Sequence, residues 1–181
     1  YMNTVSTFYF AKWTKTLDEV LVSPMPEWLV ILGFVSGGVM RGLIVGALVG
    51  LVGLFFTHLA IYNVLALVAA LVLTSVLFSL AGLINGVFAK GFDGISIVPT
   101  FVLTPLTYLG GIFFSISQFT PFWQNVSKLN PSLYMINAFR WGFFGVSAIN
   151  VWVCFGVLIA FIAIFLGVLL WLFRRGMGVR N

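Results

Sequence analysis

The sequence predicts an all-α integral membrane protein, a polytopic bundle of transmembrane helices. Of its 181 residues, 61% are hydrophobic and only 7% are charged, whereas a soluble domain carries roughly a quarter charged residues. The mean hydropathy is +1.15. Four apolar runs each reach the roughly 20 residues that cross a hydrocarbon core of about 30 Å. These predicted spans cover about residues 29–56, 59–89, 95–117 and 149–173.

Two segments precede the first complete span. Residues 1–11 are apolar and aromatic but too short to cross a bilayer, so we interpret them as the end of a truncated transmembrane helix. Residues 12–26 are predicted to hold a short cytoplasmic helix, because apolar residues recur at helical spacing from Lys12 to Val22 and two prolines then end the pattern. Such a helix either anchors at the membrane surface or docks on a partner protein.

The first complete span contains a glycine at every fourth position: Gly38, Gly42, Gly46 and Gly50. Small residues at this spacing let two helix backbones approach closely where lipid offers no hydrophobic drive for association. We therefore predict a tightly packed helix pair, in which the second helix belongs either to this chain or to a second copy of it.

Arg41 lies near the middle of the same span. A guanidinium at that depth costs about 2.5–3.5 kcal/mol on insertion scales, so it is expected to face protein or water. No acidic residue lies within a predicted span. The expected partners are therefore polar groups on the neighbouring helix, such as Ser75, Ser79 or Asn85. Arg41 either has a structural, hydrogen-bonded role or takes part directly in substrate passage.

The third span is interrupted by Pro99 and Pro105, which predicts a kink or a locally unwound turn. Residues 118–148 then leave the membrane but keep many aromatic side chains, which suit the headgroup level. Asn130-Pro131 indicates a turn followed by a helix start. We predict two short helices here, lying in the outer interface or re-entering the membrane.

The basic residues predict the orientation of the chain in the membrane. Six of them lie before the first span, between the second and third, or after the fourth, and two lie in the other connections. By the positive-inside rule the side with six is cytoplasmic, and the C-terminus lies on that side. Because these residues follow the helix ends, nucleic acid is not expected as a partner despite the net charge of +5. The six are Lys12, Lys15, Lys90, Arg174, Arg175 and Arg180, and the two are Lys128 and Arg140.

The sequence predicts no catalytic, cofactor or metal site. His58 is the single histidine, so a metal site of several imidazoles is excluded within this chain. The sequence places no base beside a serine within the spans, and it has no phosphate-binding loop of the Gly-x-x-x-x-Gly-Lys-Ser/Thr type. If the protein uses energy from a nucleotide, that energy must therefore come from elsewhere.

Two segments resemble the permeases of ABC-2-type transporters. The first segment is similar to that family's G-T-L-E-x-L-L-x-S-P-L/M segment, the coupling helix that docks on the ATPase. It consists of Lys15-Thr16-Leu17-Asp18-Glu19-Val20-Leu21-Val22-Ser23-Pro24-Met25. The second similarity is to the signature of the family's fifth helix and outer re-entrant region, and consists of Gly110-Gly111-Ile112-Phe113-Phe114, Gln118, Asn130-Pro131-Ser132-Leu133-Tyr134 and Arg140. The chain departs from the family pattern at Lys15, where many members have glycine, and at Ser115, where proline is common.

The resemblance implies a subunit with six spanning helices, of which this chain holds the end of the second and all of the third to sixth. It further implies a bacterial inner-membrane exporter made of two permease copies and two cytoplasmic ATPase subunits, which bind the ATP and magnesium. The substrate class is amphipathic, glycan or drug-like. The implied coupling residues are Thr16, Leu17, Asp18, Glu19, Val20, Leu21, Ser23 and Pro24, and the implied outer-gate residues are Gly110, Gly111, Asn130, Pro131, Tyr134 and Arg140.

In this interpretation Leu17, Val20 and Leu21 fill a groove on the ATPase, while Asp18 and Glu19 make contacts at its rim. Two other functions fit the residues. The chain could be a membrane scaffold that dimerises through the glycines and transports nothing, or an intramembrane enzyme whose site lies upstream of Tyr1.

Overall fold

The computed structural model describes residues 1–22, 24–56, 61–111 and 120–176, and every regular element in those ranges is a helix. For Leu21, Leu54 and Pro121 the backbone alone is described. In chain order the elements are α1 (Met2–Trp13), α2 (Thr16–Val22), α3 (Glu27–Phe56), α4 (Val64–Phe88), α5 (Phe92–Val98), a π-helical segment (Pro99–Leu103), α6 (Thr104–Leu109), α7 (Pro121–Lys128), α8 (Pro131–Phe144) and α9 (Val151–Arg174).

Four helical stretches in the described ranges are long and apolar enough to cross a membrane: α3, α4, α9 and the continuous run Phe92–Leu109. This confirms the predicted fold class. The second span begins at Val64, later than the predicted residue 59, because the side chain of Asn63 caps α4 by accepting from the Ala66 N–H at 3.0 Å. The predicted span residues 59–60 and 112–117 lie outside the described residues.

The interruption of the third span takes the form of the π-helical segment. Pro105 has no N–H to donate to the carbonyl four residues before it, so the regular α-helical bonding cannot continue through this turn. The wider turn is bridged by the Thr104 hydroxyl, which donates to the Pro99 carbonyl at 3.0 Å.

One end of the bundle carries most of the basic residues. Lys12, in the last turn of α1, donates from Nζ to the Val87 carbonyl near the end of α4 at 3.3 Å. At the end of α9, Arg174 Nε lies 3.6 Å from Oε2 of Glu27, which opens α3. Lys90 lies two residues after the end of α4. We call this end of the bundle, which carries Lys12, Lys90 and Arg174, the basic end.

A large buried cluster at the basic end joins α1, α2, α3, α4 and α9. It includes Phe8, Leu17, Ile31, Leu83 and Leu172, each of which is at most 2% exposed. Helix α4 lies at the centre of the fold, since it packs against α1, α3, α5, α8 and α9.

Helix α8 packs lengthwise along α4 and α9. Its early residue Met135 belongs to a buried cluster with Leu77 of α4 and Leu158 of α9. Its late residue Gly142 lies against Leu67, near the start of α4, with 3.2 Å between Leu67 Cβ and a Cβ built on the glycine. Helix α8 therefore runs beside two of the spanning helices, which is the geometry that the re-entrant alternative predicts.

Candidate functional site

Helices α1 and α2 meet at an elbow formed by Thr14 and Lys15. The Thr14 N–H donates to the Phe10 carbonyl at 2.9 Å, which closes α1, and Lys15 adopts a φ of 61°. Glycine takes this left-handed conformation freely, whereas another residue pays roughly 1–2 kcal/mol. The elbow thus gives a physical reason for the glycine that many similar permeases have here. It also corrects the predicted helix start, because Lys12 belongs to α1 and the coupling segment becomes helical at Thr16.

Leu17 points into the protein. Its side chain is 1% exposed and lies in the cluster with Phe8 of α1 and Ile31 of α3, while Val20 packs against the same cluster. The expectation that Leu17 fills a groove on a partner is therefore wrong. The apolar face of α2 instead covers the membrane domain of its own chain.

The accessible face of α2 carries two carboxylates. Thr16, Asp18 and Glu19 are exposed, and Val22 is 87% exposed. The two carboxylates lie in the first turn, where negative charge stabilises a helix. Of the other predicted coupling residues, Pro24 is exposed, the Leu21 side chain is not described, and Ser23 lies outside the described residues.

Arg41 is exposed on α3 and donates from Nη1 to the Asn3 side-chain oxygen of α1 at 2.9 Å. The expected partners were polar groups on the neighbouring helix, such as Ser75, Ser79 or Asn85, and that placement is wrong. The reason lies in the packing, because α1 contacts both α3 and α4 and lies beside Arg41. Asn85, one of the expected partners, instead donates to the carbonyls of Gly94 and Ile95 at 3.4 and 3.5 Å.

Three of the four evenly spaced glycines of α3 face α4 so closely that a Cβ would not fit without movement. The nearest α4 atoms to a built Cβ are Ser79 Oγ at 2.5 Å from Gly38, Ser75 Oγ at 2.7 Å from Gly42, and Leu71 Cδ1 at 2.6 Å from Gly46. At Gly38 the Thr4 hydroxyl of α1 also lies against the site. A Cβ on Gly50 meets no described atom within 4 Å. The close helix approach that this spacing allows is thus made within the chain at three positions.

The six predicted outer-gate residues come together where α6 ends against α8. Asn130 caps α8 by accepting from the Ser132 N–H at 2.9 Å, and it also donates to the Leu106 carbonyl in α6. Pro131 takes the first helical position, where its missing N–H leaves no bond unmade. A single asparagine therefore fixes both the start of α8 and its distance from α6.

Arg140 strengthens the same contact, because it donates from Nη2 to the carbonyl of Gly111, just after α6, at 3.0 Å. The Tyr134 hydroxyl donates to the Lys128 carbonyl at 2.7 Å and so joins α8 to α7. A Cβ on Gly110 would lie 3.0 Å from the Ser132 Cβ, so α6 approaches α8 nearly at backbone distance. We call α7, α8 and the turn at Asn130 the re-entrant hairpin.

Asn137 is a structural residue of this hairpin that the sequence did not single out. It is 2% exposed, and its Oδ1 accepts from the Ala148 N–H at 3.1 Å, which holds the connection from α8 to α9. The available signal was an asparagine in the apolar part of α8, two turns after the Asn130 cap. A buried amide of this kind is normally fully hydrogen-bonded.

Within the described residues, no group of three or more histidine, cysteine or acidic side chains is placed to hold a metal ion. The hydrogen bonds described above join Arg41 to Asn3 and cap or connect helices, so they position helices against one another.

Comparison with known proteins gives consistent results. The sequence profile described as "ABC-2 type transporter" matches residues 1–144. The chain is 51% identical over all 181 residues to the "Inner membrane transport permease YadH" of Escherichia coli K12, of which it covers 71%. It is also 25% identical over 153 residues to "Nodulation protein J" of Rhizobium leguminosarum bv. viciae. The matched residues make up 83% of this chain and 58% of that protein. No solved structure matches the chain.

Proposed function

Since this chain belongs to the ABC-2 transporter family as a membrane permease, we propose that it is the transmembrane subunit of an ATP-driven exporter. ATP and magnesium are bound by a separate cytoplasmic ATPase. The intact transporter contains a second permease copy, and its substrate is an amphipathic, glycan or drug-like molecule. Family membership is the observation that carries this proposal, and it favours transport over a scaffold or an intramembrane enzyme.

The geometry of α2 supports its role as the coupling helix. Leu17 anchors α2 in the cluster that it shares with α1, α3, α4 and α9, so a force on α2 acts on all of those helices. Asp18 and Glu19 remain exposed on the opposite side. We propose that the ATPase contacts this acidic face through basic or hydrogen-bonding groups, whereas the apolar face keeps α2 attached to the permease.

The basic end supports the proposed orientation. Lys12, Lys90 and Arg174 lie there together, and cytoplasmic loops carry the excess of lysine and arginine in membrane proteins. With this end in the cytoplasm, α2 meets the ATPase, the C-terminus is cytoplasmic, and the re-entrant hairpin enters from the far side of the inner membrane.

The proposed coupling can be tested by reversing the charges of α2. The Asp18→Lys, Glu19→Lys variant of the full-length permease should lose co-purification with its ATPase and the ATP hydrolysis of the reconstituted complex. Both residues are exposed, so insertion should not change, and thermal stability should fall only by the small contribution of two first-turn charges. Lys128→Glu reverses an exposed charge of the re-entrant hairpin and serves as the matched control. Normal ATPase binding by the α2 variant would contradict the coupling role.

The gating role of the re-entrant hairpin can be tested by locking α6 to α8. Cysteines at positions 110 and 132, in a Cys154→Ala background, place two Cβ atoms about 3.0 Å apart, close enough to bridge after a small shift. Oxidation should stop ATP hydrolysis by the reconstituted complex, and reduction should restore it. Full activity in the cross-linked state would show that this contact does not open during transport.

A further inference from the structure

A pocket at the basic end collects three lysines from different parts of the chain. Lys12 comes from α1, Lys15 from the elbow and Lys90 from the connection between α4 and α5, around a cavity of about 520 Å³. Asp18 is the one acidic residue that lines it, so the lining carries a formal charge of +2, three lysines against one aspartate. In the described part of the chain no salt bridge involves these lysines. We call this cavity the lysine pocket.

The walls of the lysine pocket are aromatic. Tyr9 and Trp13 line it, and both rings contact Phe92, with centroid distances of 5.1 and 6.4 Å. Trp13 and Phe92 are each 63% exposed. Exposed tryptophan and lysine at the end of a spanning bundle are typical of the headgroup level of a bilayer. The pocket therefore lies where the polar part of a lipid would lie.

A second, apolar groove borders the lysine pocket at Phe92, which lines the groove and whose ring contacts Tyr9 and Trp13 of the pocket. This cavity of about 500 Å³ between α1 and α5 is lined by Phe10, Phe92, Ile95 and three small hydroxyl residues. On both helices the groove residues are displaced from the lysines toward the membrane. Thr7 precedes Lys12 by five residues, which is about 7.5 Å of helix. A cationic pocket beside an apolar groove matches the chemistry of a phospholipid.

We propose that the lysine pocket and this groove bind one anionic phospholipid, with the phosphate among Lys12, Lys15 and Lys90 and an acyl chain along Phe10 and Ile95. The assignment to the cytoplasmic leaflet rests on the orientation proposed above, but the binding itself does not. Because Lys15 belongs to the elbow, the bound lipid links α2 to the connection between α4 and α5. Free phosphate would use the lysines but would leave the groove empty.

Lipid binding to the purified full-length permease tests the proposal. Phosphatidylglycerol, titrated in detergent and followed by native mass spectrometry, should bind more tightly than phosphatidylcholine. Lys15→Gln and Lys90→Gln should each weaken phosphatidylglycerol binding about fivefold, the equivalent of about 1 kcal/mol for a charge near a membrane surface, and together about thirtyfold. Lys128→Gln should bind like wild type, because Lys128 lies in α7 and contacts Asn125 instead. Lys12 is left intact because it bonds the end of α4.

A second variant separates a lipid from free phosphate. Ser96→Trp fills the apolar groove from the exposed face of α5 and should weaken phosphatidylglycerol binding while leaving the lysines in place. Thermal unfolding verifies that this variant is folded. Equal competition by inorganic phosphate at the lipid's concentration, or no effect of Ser96→Trp, overturns the lipid assignment. If the lysine variants keep phosphatidylglycerol but lose the ATPase, the pocket is a protein contact and the proposal fails, whether or not α2 also couples to the ATPase.

Discussion

Replacing Gly42 by alanine should destabilise the contact between α3 and α4, although alanine is ordinarily the better helix former. The new Cβ would lie 2.7 Å from Ser75 Oγ and 3.3 Å from Ser75 Cβ, whereas ordinary contacts lie at 3.4–4 Å. Either the two helices separate by about 0.7 Å, the difference between 3.4 and 2.7 Å, or the serine changes rotamer. Both responses disturb the packing of α4, the central helix of the fold.

The expected size of the effect follows from two opposing terms. Inserting a methyl group into a well-packed site costs about 1–3 kcal/mol, and exchanging glycine for alanine in a helix returns about 1 kcal/mol. The net loss is therefore about 1 kcal/mol, which corresponds to a fall of about 2–4 °C in Tm for a protein of this size.

Thermal unfolding of the purified full-length permease, followed by circular dichroism, measures this shift. Gly37→Ala is the matched control in the same helix, because its Cβ meets no described atom within 4 Å, and its Tm should stay or rise. Adding Ser75→Ala to Gly42→Ala removes the closest atom and should restore most of the lost stability. Equal shifts for Gly42→Ala and Gly37→Ala, or no rescue by Ser75→Ala, would refute the proposed limit on helix approach.

Substitutions at three further positions test other contacts by the same measurement. Leu17→Ala should cost about 2–5 kcal/mol because the side chain is buried, and unchanged stability would restore the view that it faces a partner. Lys15→Gly should stabilise the elbow by about 1 kcal/mol by relieving its positive φ, whereas Lys15→Ala should give no such gain. Asn130→Ala should cost about 2 kcal/mol through loss of the cap and the bond to Leu106, and Asn130→Ser, which keeps a capping oxygen, about half of that.

The spans were predictable because their signal is simple: a run of apolar residues long enough to cross a bilayer has few alternatives. Their ends were less predictable. The run that starts at residue 59 continues unbroken past the true helix start at Val64, and it is the Asn63 side chain that sets the boundary. Hydropathy does not register a cap, since one polar residue barely changes the average over a span.

The amphipathic pattern of α2 could not predict which surface its apolar face contacts. Periodicity identifies which residues share a face, and Leu17 and Val20 do share one. It does not say whether that face is covered by a partner or by the protein's own core. Arg41 presents the same difficulty, because its depth and its need for a polar partner follow from the sequence, whereas Asn3 as that partner depends on which helices are neighbours.

The packing suggests how the coupling helix and the re-entrant hairpin act on each other in the proposed transport cycle. Leu17 belongs to the basic-end cluster, and Met135 of the hairpin belongs to the cluster with Leu77 and Leu158. Two α9 residues, Ile162 and Phe165, pack against both clusters. Contiguity alone is not coupling, which requires an element with two arrangements. The proposed gate between α6 and α8 supplies such an element, because its hydrogen bonds are either made or broken. Helices α4 and α9 then need only shift as rigid bodies to connect a push on α2 with that gate.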